Sequence, residues 1–358
     1  MDEDFRNGLQ SFLQMVSNDP GIVPESSSEA AYQKMAALAK ELYKKLLPGH
    51  TRKPGQQIFL IPHGILQWLP FEALLPPAPQ GGGISQLPYL GLSDVLSYHN
   101  SATALKNACE GRATFEYESP FEAFVQAAPI GQVAVKGAYP LTDGPSSMGY
   151  FSELARSWAA EHDGHLWEGP MAGEGAFRSL PSTDVLLLAL DARAGALPDE
   201  TFITFLEQKD SSYDNRLYLE EAYFLQKPVA LYILASVAPY STGGAGWQQL
   251  AEALQYSGGQ SLLFHRWAAT GSPSAELLEL FLNLRQSNGD VSKSLQEARC
   301  AYLSRHGNNP QKAHPYFWAG YLAYSQPVAP LVPSGIPAFW IIAAVAGLIF
   351  IGWLVRMH

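Results

Sequence analysis

The sequence predicts an α/β fold, a mostly parallel sheet flanked by helices, followed by one C-terminal membrane-spanning helix. Two observations carry this. Three continuous apolar runs, at residues 183–190 (TDVLLLAL), 227–236 (KPVALYILAS) and 260–267 (QSLLFHRW), alternate with segments whose apolar residues recur at helical spacing. Strands buried on both faces of a parallel sheet have this pattern. The stretch from Ser334 to Val355, SGIPAFWIIAAVAGLIFIGWLV, contains no charged side chain and carries Trp340 and Trp353 near its two ends.

A helix needs roughly 20 apolar residues to cross about 30 Å of hydrocarbon, because only a helix or a closed barrel satisfies its own backbone polar groups in lipid. Pro337 suits the entry of such a helix, where no hydrogen bond is lost, and the two tryptophans suit the two headgroup interfaces. The span is placed at 336–355, after a Pro-rich linker at 327–335. Arg356 follows the span, while Arg305 and Lys312 lie far before it, so charge bias marks its orientation poorly. The remainder of the 358-residue chain, about 333 residues, is within range for one large α/β domain.

A net charge of -10 with 16% charged residues argues against a nucleic-acid partner, which would need clustered Lys and Arg. The basic group Lys40, Lys44, Lys45, Arg52 and Lys53 reads as a solvated helix face and loop. Cys109 and Cys300 provide neither a disulfide framework nor metal-ligand spacing. No metal or cofactor site is expected. The acidic start, MDEDFRNGLQ, lacks the charged and apolar regions of a secretory leader.

Residues 1–28 read as irregular. From Ala30 to Leu47 apolar residues follow helical spacing, with Ser28 as the cap and Pro48–Gly49 as the stop. QIFLIPHG is then a short strand ended by a turn, and ILQWLPFEALLPP an amphipathic segment. LSDVLSYHNSATALKNA reads as a strand entering a helix capped by Ser101. VAVKGAYPL is a strand and loop. SMGYFSELARSWAAEHDG is a helix with Tyr150, Leu154 and Trp158 on one face. The first long apolar strand follows. The second strand has a Gly-rich exit into the helix WQQLAEALQY, and after the third strand come the helices SAELLELFLNLRQS and VSKSLQEARCAYLSRH. HPYFWAGYLAY is an aromatic strand.

The order and spacing of IFLIPHGILQWLPFEALL, LGLSDVLSYHNSATAL, the strands at 184–192 and 231–240, and AHPYFWAGYL resemble the CHAT domain, a caspase-like module that often follows tetratricopeptide repeats in bacteria. LPFEALL and HPYFWAGY are the most specific motifs. The resemblance spans roughly residues 35–326, within a domain placed at 29–326, with no repeat helices before Ala30. It implies a caspase-like sheet and, in active members, a His/Cys dyad in which an imidazole activates a thiol at the exits of adjacent parallel strands. Here the His position is occupied by Asp191 (LLALDA, 187–192) and the Cys position by Val237 (LASVAPY, 234–240). Valine has no titratable group and cannot be a nucleophile. Two further acids expected by the resemblance fall on Ala245 and Gly271. The packing residues Trp68, Pro70, Phe71, Trp267, Pro315, Tyr316 and Trp318 remain.

The residues leave alternatives open. Ser236 adjoins the lost cysteine, but a one-residue offset turns a strand side chain to the other face, and the GxSxG context is absent. Asp191 suits a cation or basic peptide group, or simply a turn that it accepts hydrogen bonds from. His265 reads as a structural histidine inside the third strand. His63 and His314 have no partner at metal-ligand spacing. The TGGAGW segment lacks the Lys and Ser or Thr of a phosphate loop. The reading reached is a degenerate CHAT domain at a bacterial inner membrane, on the cytoplasmic side, binding a protein or peptide. The alternative is a hydrolase that uses Ser236, Cys109 or Cys300. The full chain is expected to sediment with membranes, and deletion from Ser334 onward to release a soluble, folded protein. Full-length chain that stays in the supernatant after ultracentrifugation without detergent would exclude the span.

Overall fold

The computed structural model describes residues 3–20, 23, 26, 28–48, 55–77, 87–110, 116–125, 147–193, 195, 197–206, 213–235, 245–267 and 271–325. In chain order its elements are α1 (Glu3–Ser17), α2 (Glu29–Leu46), β1 (Gln57–Leu60), α3 (Leu90–Ser93), β2 (Val95–Tyr98), α4 (Ala102–Glu110), β3 (Ser119–Val125), α5 (Ser147–Glu161), β4 (His165–Glu168), α6 (Glu174–Arg178) and β5 (Thr183–Ala189). They continue with β6 (Ala192–Arg193), β7 (Phe202–Thr204), β8 (Arg216–Tyr218), α7 (Leu219–Ala222), β9 (Val229–Leu234), α8 (Ala245–Tyr256), β10 (Gly259–His265), α9 (Gly271–Asn288), α10 (Val291–His306), α11 (Pro315–Trp318) and β11 (Tyr321–Tyr324).

A six-stranded sheet in the order β11-β10-β9-β5-β3-β4 forms the centre. Five strands are parallel, and β11 runs antiparallel along β10. The three apolar runs are β5, β9 and β10. In each, every residue from the third onward is buried, so both faces of the sheet are covered there. The register pairs Leu186 with Tyr232 and Leu188 with Leu234, which makes β5 and β9 direct neighbours with aligned exits. Between these two strands the chain makes a separate antiparallel sheet, β6-β7-β8. A parallel pair, β1-β2, packs through β2 on β11 and α10.

Several local readings meet the structure directly. The Ser28 hydroxyl caps α2 by accepting from the Ala31 amide, and Ser101 does the same for α4 through Ala104. The N-terminal segment is a correction. Residues 1–28 are not irregular throughout, because α1 occupies Glu3–Ser17 and buries Leu9, Phe12 and Val16 as it packs on α2 and α11. Its cause is local: apolar side chains recur at helical spacing, and Glu3 and Asp4 favour the positive end of the helix. The amphipathic segment before residue 77 becomes two short 3₁₀ turns, Gly64–Trp68 and Phe71–Ala73, separated by Pro70. HPYFWAGYLAY divides into α11, opened by His314 accepting from the Tyr316 amide at 3.1 Å, and β11. The strand read at 133–141 and the membrane span at 336–355, with its linker, lie outside the described residues. Among the described residues, no helix is long and apolar enough to cross a membrane.

One buried ionic cluster ties the sheet's edge to the preceding turns. Glu72 accepts from Arg266 Nη1 at 2.8 Å and from Arg299 Nη2 at 3.5 Å, and all three side chains are almost completely buried. Arg299 also donates to the carbonyls of Trp318 (3.1 Å) and Tyr321 (2.6 Å), and Arg266 to that of Ala319 (3.4 Å). Burial on its own lowers both guanidiniums. At Arg266 the adjacent carboxylate outweighs burial and the net direction is up, whereas Arg299, at a longer distance, stays below its ordinary value. Gly91 lies so close to this turn that a Cβ would sit 2.7 Å from Glu72 Cβ. Beside the cluster, the Ser97, Ser292 and Ser325 hydroxyls bond one another at 2.6–3.2 Å, joining β2, α10 and the end of β11. Glu72→Gln keeps the volume but removes the charge that two buried arginines share. It is expected to lower unfolding stability by about 3–5 kcal/mol, read from chemical denaturation midpoints; a loss below about 1 kcal/mol would show the cluster to be dispensable.

Candidate functional site

Open parallel sheets place their sites where the strands end, because the following loops converge there while the backbone holds them in register. In this chain those exits are Leu190–Asp191 after β5 and Ala235 after β9. The pairing continues one step past the strands, since the Ala235 amide donates to Leu188 O at 3.0 Å. Leu190 and Ala192 are buried and Asp191 between them is exposed. The Asp191 carbonyl accepts from the Thr204 amide at 2.7 Å, which anchors the start of β6 to β7. Asp191 therefore stands at a turn into the small sheet, and its side chain emerges at the mouth of the main one.

The positions read as Val237 and Ser236 lie outside the described residues. Ala245 and Gly271, where further acids were expected, open α8 and α9 respectively. Cys109 is on α4. Cys300 is on α10, where its thiol faces Leu92 O at 3.4 Å and Gln296 Nε2 at 3.6 Å, and burial pushes it up, away from thiolate. Neither contact supplies a base.

The histidines divide by environment. His63 is exposed at a turn. His265 ends β10 and is buried; its Nδ1 bonds the Trp267 carbonyl, so the neutral tautomer carries its proton there. Its ring meets Tyr321 edge-on at 4.6 Å, and Gly320 is required beside it because a Cβ would fall 2.3 Å from the imidazole. Burial holds His265, His99 and His314 at about 4. A base kept neutral by burial and fixed by a backbone bond is a packing element. Among the described residues, no group of three or more His, Cys, Asp or Glu side chains is arranged to hold a metal.

The aromatic residues singled out in the sequence do meet. Trp267 Nε1 donates to Tyr316 O at 2.9 Å with the two rings stacked, and Trp318 is fully buried, donating to Ala313 O at 3.0 Å and resting edge-on against Tyr89. These contacts fasten the HPYFWAGY segment to the exit of β10. The site thus has a frame of packing and hydrogen bonds beside the strand exits, one of which carries Asp191. Sequence reading missed Glu72, Arg266 and Arg299 as a unit; the available signal was a single charge inside the apolar run LPFEALL.

The sequence matches the CHAT domain over residues 33–326. No curated protein matches it. Among solved structures, it is similar to Saccharomyces cerevisiae separase from a separase–securin complex, at 12% identity and a TM-score of 0.39, covering 67% of this chain and 14% of that one. It is also similar to Porphyromonas gingivalis RgpB from a complex of pro- and mature domains, at 9% identity and a TM-score of 0.41, covering 91% and 77%.

The neutral histidines set a pH dependence. The unfolded chain takes up protons near the ordinary value of 6.5, while the folded chain resists until about 4. Folding stability is therefore full above 6.5 and falls as pH drops toward 4, by at most about 1.4 kcal/mol per pH unit for each histidine. Denaturation midpoints between pH 6.5 and 5, above the main carboxylate range, should decline steadily. A flat profile there would show that the imidazoles charge within the fold.

Proposed function

Because the chain belongs to the CHAT domain family, we propose that it is a degenerate, caspase-like member that binds a protein or peptide at the strand exits without cleaving it, tethered by its C-terminal segment to a bacterial inner membrane with the domain on the cytoplasmic side. The observation that carries the reading is chemical. The positions matching the family's base and nucleophile are Asp191 and Val237, and neither a carboxylate nor an aliphatic side chain can supply a thiolate. The frame around those positions supports a retained binding role. β5 and β9 are still adjacent with aligned exits, and the aromatic clamp on β10 is intact. On this reading the loss of the reactive pair removes turnover and leaves an exposed acid, Asp191, at the exit of β5, which suits a basic or hydrogen-bonding peptide group.

The test uses the full chain in detergent on an array of diverse peptides, with mass analysis of what is retained. Bound peptides should be recovered intact, and the Asp191→His, Val237→Cys double variant, once shown to fold, should restore little or no cleavage, since positioning and transition-state stabilisation were lost with the acids replaced by Ala245 and Gly271. Retention of no peptide would remove the binding assignment. Wild-type turnover that survives replacement of Cys109 and Cys300 and disappears in Ser236→Ala would replace it with a serine hydrolase.

A further inference from the structure

The end of the main sheet opposite the strand exits carries two exposed aromatic side chains. The parallel strands β5, β9 and β10 all begin there, with Thr183, Val229 and Gly259 in register. Phe224, in the turn before β9, is 82% exposed, and Tyr256, the last residue of α8, is 78% exposed. Tyr223 joins them, its ring meeting that of Tyr256 edge-on at 5.7 Å. The two turns are pinned to each other and to the core. The Lys227 amide donates to Ser257 O at 2.7 Å, and its buried ammonium donates to Leu180 O at 2.8 Å. Gln226 is held at φ 45°, a left-handed conformation that a non-glycine residue keeps only where its surroundings impose it. Large apolar rings held rigidly in water mark an interaction surface.

The path of the chain indicates what meets them. β11 runs antiparallel to β10 and so returns toward this same end, pairing Tyr324 with Leu262. Ser325 follows and bonds Ser292, in the first turn of α10, at 2.6 Å. The polypeptide thus reaches residue 325 at the end of the sheet that carries Phe224 and Tyr256. Only residues 326–335 separate it from the uncharged stretch at 336–355, and such a segment reaches at most about 36 Å even fully extended. A domain of about 325 residues has a radius of gyration of about 20 Å, hence a diameter of about 50 Å. The tether is shorter than the body it holds, so this end stays nearest the bilayer. A phenyl and a phenol suit the headgroup boundary, where an apolar ring is buried and a hydroxyl stays wet. Glu252, close enough to raise the Tyr223 phenol, disfavours an anionic surface.

We infer that Phe224 and Tyr256 form a lipid-docking patch that inserts into the headgroup layer of a zwitterionic bilayer and turns the strand exits, with Asp191, toward the aqueous phase. This docking rests on the tethering proposed above and adds an orientation to it.

The experiment reconstitutes the full chain, with Cys109 and Cys300 replaced by serine, into phosphatidylcholine vesicles. A nitroxide is attached at one introduced cysteine: Phe224→Cys, Tyr256→Cys or, as control, Met171→Cys. Met171 is apolar and 56% exposed but follows the exit of β4, at the other end of the sheet. Each label at the patch leaves the other aromatic in place. Collision of the nitroxide with oxygen, which partitions into lipid, is compared with collision with a water-soluble nickel chelate. The oxygen-to-nickel ratio at 224 and at 256 should be several-fold higher than at 171. If Cys300→Ser does not fold, Cys300→Ala provides the background. An aqueous ratio at either 224 or 256 in chain that floats with the vesicles would overturn the docking and leave the tether standing. A ratio at 171 equal to that at 224 would overturn the orientation. Chain that does not float would overturn docking and tether together.

Discussion

The architecture depends on how one buried carboxylate is shared. Glu72 lies in a turn that belongs to neither sheet, yet it holds Arg266 at the exit of β10 and Arg299 in α10, and through them the carbonyls of Trp318, Ala319 and Tyr321. A charge removed from water must be met in several directions at once, and this requirement fixes distance and orientation more tightly than apolar packing does. The close approach of Gly91 and the three-serine junction follow from the same requirement, because both lie where the turns, β2 and α10 press against the cluster. LPFEALL and HPYFWAGY, the two most specific family motifs, are the two sides of this one contact.

That arrangement keeps the frame separate from the residues at the strand exits. The residues needed for β5 and β9 to lie side by side are apolar and buried on both faces, and the residues needed to clamp β11 are aromatic or charged and far from the exit of β5. None of them depends on what stands at Asp191 or Val237. Disturbing Glu72, by contrast, touches five segments.

Parts of the fold were legible because they rest on local pattern. The caps at Ser28 and Ser101, the helices α2, α4, α5, α8, α9 and α10, and the three central strands follow from periodicity and capping chemistry that act within a few residues. The matched family region begins at residue 33 and ends at 326, close to the limits read from the motifs. Other parts were misread or missed. α1 carries a helical pattern but follows an acidic start and contains Gly8, and its helix is secured by burying Phe12 on α2 and α11. β3 and β4 are short or interrupted by Glu122, which is tolerated in the sheet because Trp167 Nε1 donates to it at 2.7 Å.

By itself the sequence determined which segments are apolar on one face or on two, and hence a mostly parallel sheet with helices around it. It also determined that residue 191 is an aspartate and residue 237 a valine, and side-chain chemistry is fixed by residue type alone. Only the tertiary structure decided which polar groups meet. Glu72 is separated from Arg266 by 194 residues and from Arg299 by 227. No periodicity reaches across such distances. Packing brings these groups together, and the cost of leaving any one of them unpaired in a medium that excludes water then holds them there.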